Sequence, residues 1–205
     1  GFRQLKESIG HVRQYRDIVR FLIARMLYTD GLATIFTFGG VYAAGTFNMD
    51  SGEVLKFAIA LNVTAGLGAL GFSWIDDALG GRNTILLSLC GLGASALAIL
   101  LVETATGFWV WGMILGIFVG PLQSASRSHL ARVAPAHLQT QMFGLFAFSG
   151  KATAFAGPLL VGLVTSLTGS QRWGMATILV FLLVGFLLML TVPASEKEPG
   201  EPGPL

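Results

Sequence analysis

Six long apolar runs divide this chain of 205 residues, and they constrain its fold more than any other feature. They fall at roughly 21–45, 53–75, 84–102, 107–127, 141–167 and 173–192. A helix rises ~1.5 Å per residue, so each run can cross a hydrocarbon core of ~30 Å. The polar segments between them are short. Only 12% of residues are charged, about half the usual ~25% of a soluble domain, and mean hydropathy is +0.70. The predicted fold class is therefore an all-α integral membrane protein, a bundle of six transmembrane helices. The 27 glycines fit that reading, because small residues let helices approach closely in lipid.

Several functional classes lose ground at once. The net charge is +2 and the basic residues form no broad patch, so no nucleic-acid partner is expected. Cys90 stands alone, which excludes an intrachain disulfide, and it reads as a small packing residue. His11, His129 and His137 all lie in loops or flanking segments, and no HExxH or paired-Asp motif occurs in a span. An intramembrane enzyme, a metal site and a bound cofactor are all unexpected.

Residues 1–20 read as an amphipathic linker helix, with Phe2, Leu5, Ile9, Val12 and Val19 at helical spacing and arginines and lysine between them. Such a helix can lie along a membrane surface or stand in solvent. Residues 21–193 form the six-helix domain, and the Pro-, Gly- and Glu-rich tail 194–205 is expected to be disordered. The leading basic cluster, Arg82, Arg127 and Arg132 lie on one side of the membrane; Arg172 is the basic residue of the opposite loops. By the positive-inside rule both termini are cytoplasmic.

Polar groups at depth nominate the functional residues, because an ionisable side chain in hydrocarbon costs ~3 kcal/mol on insertion scales and persists only with a partner or water. Asp30, Thr34 and Thr37 fall on one stripe of the first span. Asp30 is the candidate coupling-ion group and Thr34 a candidate solute ligand. Lys151 lies at similar depth in the fifth span; it either pairs with Asp30 or meets an acid elsewhere. Gln123, in the fourth span beside Gly116, Gly120 and Pro121, and Asn62, in the second, complete the substrate or coupling-ion candidates. The third and sixth spans hold no charge at depth and are expected to face lipid. Asp76, Asp77, Arg82 and Arg127 are candidates for a cytoplasmic gate, with an acid of the tight loop bonded to a helix terminus or to Arg82.

The loop Asp76-Asp77-Ala78-Leu79-Gly80-Gly81-Arg82 resembles the loop signature of the major facilitator superfamily. Three further runs resemble its vacuole-effluxer-like branch: Arg25 to Gly31, Gln123 to Ser128, and Phe143 to Lys151 with Gly157-Pro158. That branch includes fungal autophagy-related vacuolar amino-acid exporters and bacterial relatives. Two positions depart from it: Asn83 stands where a second basic residue is usual, and Gln141 where relatives tend to carry an acid. The resemblance implies a twelve-helix transporter of which this chain is the C-terminal half, built as two inverted three-helix repeats. It implies transport of a small polar solute, amino acids included, by alternating access, in the inner membrane of a bacterium; the buried Asp30 adds the expectation of proton coupling. The partners are then the solute, the bilayer and an N-terminal six-helix half. The competing expectation is a membrane scaffold or remnant half without transport of its own.

Overall fold

The computed structural model describes the backbone of residues 2–194, and side chains from Tyr15 onward except His137. The expected disordered tail lies outside the described residues beyond Ala194. Among the described residues there is no strand. The helices are α1 (Phe2–Phe47), α2 (Ser51–Leu79), α3 (Gly81–Leu101), α4 (Ala105–Val133), α5 (Gln139–Ala152), α6 (Ala156–Thr168) and α7 (Gln171–Leu190), with a single 3-10 turn at Ala136–Leu138. They make six segments long and apolar enough to cross a membrane, α5 and α6 together forming the fifth.

Two boundaries differ from the sequence reading. The segment 1–20 is not a separate linker: from Phe2 onward it continues into the first span as one helix. Nothing between Arg16 and Phe21 breaks it, since no Pro or Gly intervenes. The fifth span, expected to be continuous, is interrupted at Thr153–Phe155. Pro158 explains the interruption. It has no N–H, and its ring would strike the carbonyl four residues back, at Ala154. The chain closes with tighter bonds instead, from the Ala154 N–H to the Lys151 carbonyl and from the Ala156 N–H to the Thr153 carbonyl (2.8 Å). A fresh helix N-terminus then begins inside the membrane domain.

The packing pattern carries the internal symmetry. The first span packs along the sixth, and the third along the fourth; the second leans on the fourth, and the fifth on the first. The third also touches the sixth. Exchanging the first three spans with the last three maps these contacts onto one another, except that the fifth span also packs along the sixth through α6 and α7, far more than the second does on the third. Consecutive spans run in opposite directions, so the exchange pairs antiparallel helices, as an inverted repeat requires.

Glycines set the close crossings. Gly112, Gly116 and Gly120 face α2 one turn apart, and a Cβ on Gly120 would overlap the Ala65 carbonyl. Gly68 answers from α2: a side chain there would strike the Ile117 carbonyl, the very group left without its helical donor by Pro121. Between α1 and α7, Gly31 lies on Phe181 and Gly185 on Tyr28. The third and sixth spans, expected to face lipid, are not the barest of the bundle. Their windows are more covered than those of the second and fifth spans, which are the least buried of the six. Lack of charge reports only that a span has no polar face; α3 and α7 still bury Leu89, Leu92, Ile178 and Leu182 against neighbours. Cys90, read as a packing residue, is exposed on the outside of α3.

Candidate functional site

The break in the fifth span meets the carboxylate of the first. Asp30 is 1% exposed, and its Oδ2 accepts a hydrogen bond from the Gly157 N–H at 3.0 Å. Gly157 is in the first turn of α6, so Asp30 caps that helix from across the bundle. A negative group at a helix N-terminus also meets the positive end of the helix dipole. The second carboxyl oxygen, Oδ1, is buried with no hydrogen-bond partner.

Thr34, the candidate solute ligand, does not face open space in this structure. It is fully buried, its hydroxyl donates to the Asp30 carbonyl at 2.7 Å, and Gly157 packs directly on it. The i, i+4 spacing that put Thr34 on the Asp30 stripe also put its hydroxyl within reach of the Asp30 backbone. Thr37, one turn further, is exposed and donates to the Ala33 carbonyl. Lys151 is not paired with Asp30. It is exposed, and its ammonium makes no hydrogen bond or ion pair among the described residues. It ends α5, ahead of the break, while Asp30 meets α6 beyond it. Asn62 is exposed on α2, and its amide donates to the Ala58 carbonyl of its own helix.

Gln123 lines a cavity of about 200 Å³ between α1, α4 and α5, together with Arg25, Tyr28, Thr29, Ser126 and Arg127. Arg25 is the member that the sequence reading left without a role. Its Nη1 donates to the Phe146 carbonyl at 2.6 Å and to the Ser149 hydroxyl at 2.8 Å, and its guanidinium lies 3.4 Å from the centre of the Phe146 ring. Gly150 leaves room for it, since a Cβ there would come within 2.9 Å of Nη1. The signal was present: an arginine five residues inside the first apolar run. The cavity floor is closed by a buried bond of 2.7 Å between the Tyr28 and Ser126 hydroxyls. A second, more apolar cavity of about 310 Å³ lies further along α1, with Thr37, Tyr42 and Asn62 among its lining residues. Phe36 borders both.

The four gate candidates separate. Asp76 Oδ2 accepts from the Ser128 hydroxyl at 2.7 Å and from Arg132 at 3.1 Å, and Asp77 lies 3.7 Å from Arg132. The loop acids therefore bind α4, and Arg132 is their cation. Arg82, the expected partner, reaches away to the Leu190 carbonyl at 3.0 Å and to Asn83 at 3.2 Å. It starts α3 on the side that faces α7, so its fork caps the C-terminus of that helix. Arg127 belongs to the Arg25 cavity. The two interactions tie α2 to α4 and α3 to α7 at one end of the bundle. Among the described residues no group of three or more His, Cys, Asp or Glu is placed to hold a metal ion.

Comparison with known proteins agrees with this architecture. Residues 1–199 match the family described as "Vacuole effluxer Atg22 like". The Bacillus subtilis protein titled "Uncharacterized MFS-type transporter YxiO" is 24% identical over 94% of this chain and 45% of its own length. "Autophagy-related protein 22" of Candida glabrata is 26% identical, covering 98% of this chain and 40% of the relative. The protein of the same title from Kluyveromyces lactis is 28% identical, covering 97% and 43%. The chain thus spans less than half the length of each of these relatives, which come from a bacterium and from fungi and so do not assign it to a bacterial inner membrane. By its six spans, its loop and its match across nearly the whole sequence, the chain belongs to the Atg22-like vacuole effluxer family, a membrane-transporter family of the major-facilitator type.

Proposed function

We propose that this chain forms the C-terminal half of a secondary active transporter that moves a small polar solute of the amino-acid class by alternating access, with Asp30 as the proton-coupling group. The observation that carries the reading is Asp30 itself: a carboxyl in a membrane span, 1% exposed, holding the start of a broken helix by one oxygen while the other has no partner. A carboxylate so placed is costly, and a protonated one has a donor to offer. Protonation changes how strongly Asp30 holds the α6 N-terminus, because a charged acceptor bonds an N–H about twice as well as a neutral one. The α6 segment is separated from α5 by the break, so its tilt can follow that bond. Proton binding and the shape of the fifth span are then linked, which is what coupling requires.

The second and fifth spans, least covered in the bundle, supply the face on which an N-terminal six-helix half packs. Asn62 and Lys151 point outward from those spans and meet the solute or that half. The end bearing Arg82, Arg132 and the α2–α3 loop is cytoplasmic. There the Asp76–Arg132 and Arg82–Leu190 ties act as the gate that holds α2 to α4 and α3 to α7. The experiment is uptake by the complete protein in vesicles with and without an imposed pH gradient. Asp30→Asn is expected to abolish gradient-driven accumulation while counterflow exchange persists. Accumulation at the wild-type rate would mean that coupling lies elsewhere.

A further inference from the structure

We infer that the cavity between α1, α4 and α5 is a binding site for the anionic group of a small solute, a carboxylate or a phosphate, held by Arg25 and Arg127 with Gln123 beside them. The inference rests on the transport reading above and adds to it the charge of the ligand and the residues that hold it.

Two arginines line one small cavity, and among the described residues neither has an acidic partner. Two like charges brought to one cavity without an anion repel. Arg25 is not a loose surface charge. One of its nitrogens, Nη1, is fixed by the Phe146 carbonyl and the Ser149 hydroxyl, and the plane is held against the Phe146 ring. Its Nη2 and Nε make no hydrogen bond among the described residues, and Arg25 lines the cavity. A guanidinium anchored by one nitrogen and offering its others presents a prearranged fork to a planar or tetrahedral oxyanion. Arg127 lines the same cavity from α4, one turn beyond Gln123, whose amide can bond a neighbouring polar group of the same ligand. The Tyr28–Ser126 pair satisfies its own hydroxyls and forms a neutral wall. A space of about 200 Å³ suits a molecule of a few heavy atoms and is small for a drug-sized ligand. Asp30 is not among the lining residues, so the ligand anion and the coupling carboxyl do not compete for one place.

The test uses the complete protein in detergent, with Cys90 and any other cysteine replaced by serine and Thr29→Cys as the reporter on the cavity wall. The rate of labelling by a neutral thiol reagent is measured with alanine, its uncharged-carboxyl analogue alaninamide, inorganic phosphate, or potassium chloride at equal ionic strength. A site of about 1 mM affinity in about 10 mM ligand is occupied enough to slow labelling about tenfold. Alanine is expected to give that protection and alaninamide and chloride none; protection by phosphate in its place keeps the anion site and moves the ligand class to phosphorylated solutes. Arg127→Gln, an exposed position, is expected to remove the protection, and Arg25→Lys, which keeps charge but loses the fork, to weaken it. Equal protection by alanine and alaninamide, protection that survives Arg127→Gln, or no protection by any probe overturns the inference. Labelling reads occupancy whether or not solute is carried. Protection without transport therefore counts against the transport reading alone, and transport without protection counts against this site alone.

Discussion

The bond from Gly157 to Asp30 separates two roles of one residue, and a pair of substitutions distinguishes them. Asp30→Ala removes the acceptor of the Gly157 N–H, a first-turn donor with no partner inside its own helix. Hydrogen bonds to charged groups contribute ~1.5–3 kcal/mol, and an orphaned buried donor costs a similar amount, so a loss of about 2–3 kcal/mol is expected. On the scale of ~2–4 °C per kcal/mol for a chain of this size, the melting temperature falls by about 5–10 °C. Asp30→Asn behaves differently. Its amide oxygen can take the same N–H, and it removes an ionisable group whose placement in a span costs ~3 kcal/mol when charged. Asn is therefore expected to melt at or above the wild-type temperature while losing coupled accumulation. The assay is thermal unfolding of the detergent-solubilised complete protein, monitored by size-exclusion chromatography of heated samples. If Ala melts with wild type, the Asp30–Gly157 bond holds nothing together. If Asn falls as far as Ala, the bond needs full charge, and the coupling assay with Asn cannot separate chemistry from folding.

The remaining predictions concern the scaffold. Asp76→Asn and Arg132→Gln should show a coupling of about 1 kcal/mol in a double-mutant cycle on unfolding, whereas Asp76→Asn and Arg82→Gln should be additive within ~0.5 kcal/mol; the reverse result would return Arg82 to the loop acids. Gly120→Val forces α4 off the Ala65 carbonyl and should cost ~3 kcal/mol or prevent folding, while Gly93→Ala, with open space around it, should be neutral or stabilising by up to ~1 kcal/mol, both read by the same melting assay. Thr34→Val should leave solute affinity within about twofold of wild type, since its hydroxyl faces the backbone; a tenfold loss in a binding assay would make it a ligand after all. For topology, single cysteines at Ser51, Glu103 and Thr168 should react with an impermeant thiol reagent from outside whole cells and those at Asp77 and Ala136 should not, in a Cys90→Ser background; labelling at Asp77 would invert the orientation.

The sequence alone determined the number of spans, because ~20 apolar residues in a row have few fates in lipid, and it determined that Asp30 needs a partner, because a carboxyl in a span cannot stand alone. It also marked Gly116, Gly120 and Pro121 as a place of close approach, and Gly68 on α2 supplied the matching surface. Tertiary structure decided the identity of the partners. Lys151 was a reasonable match for Asp30 by depth and sign, but depth along a helix says nothing of the direction in which a side chain points, and α6 offered an N–H nearer to hand. That N–H is free only because the fifth span breaks, and Pro158 makes the break through a clash with a carbonyl one turn away. Arg82 was near the loop acids in the chain and Arg132 far from them; the crossing of α2 over α4 brought Arg132 and Ser128 to Asp76, while Arg82 reaches the end of α7. Arg25 and Arg127 lie 102 positions apart in the sequence and line one cavity in the fold. Periodicity places each residue on a face of its own helix, and only the packing of one helix against another decides which faces meet.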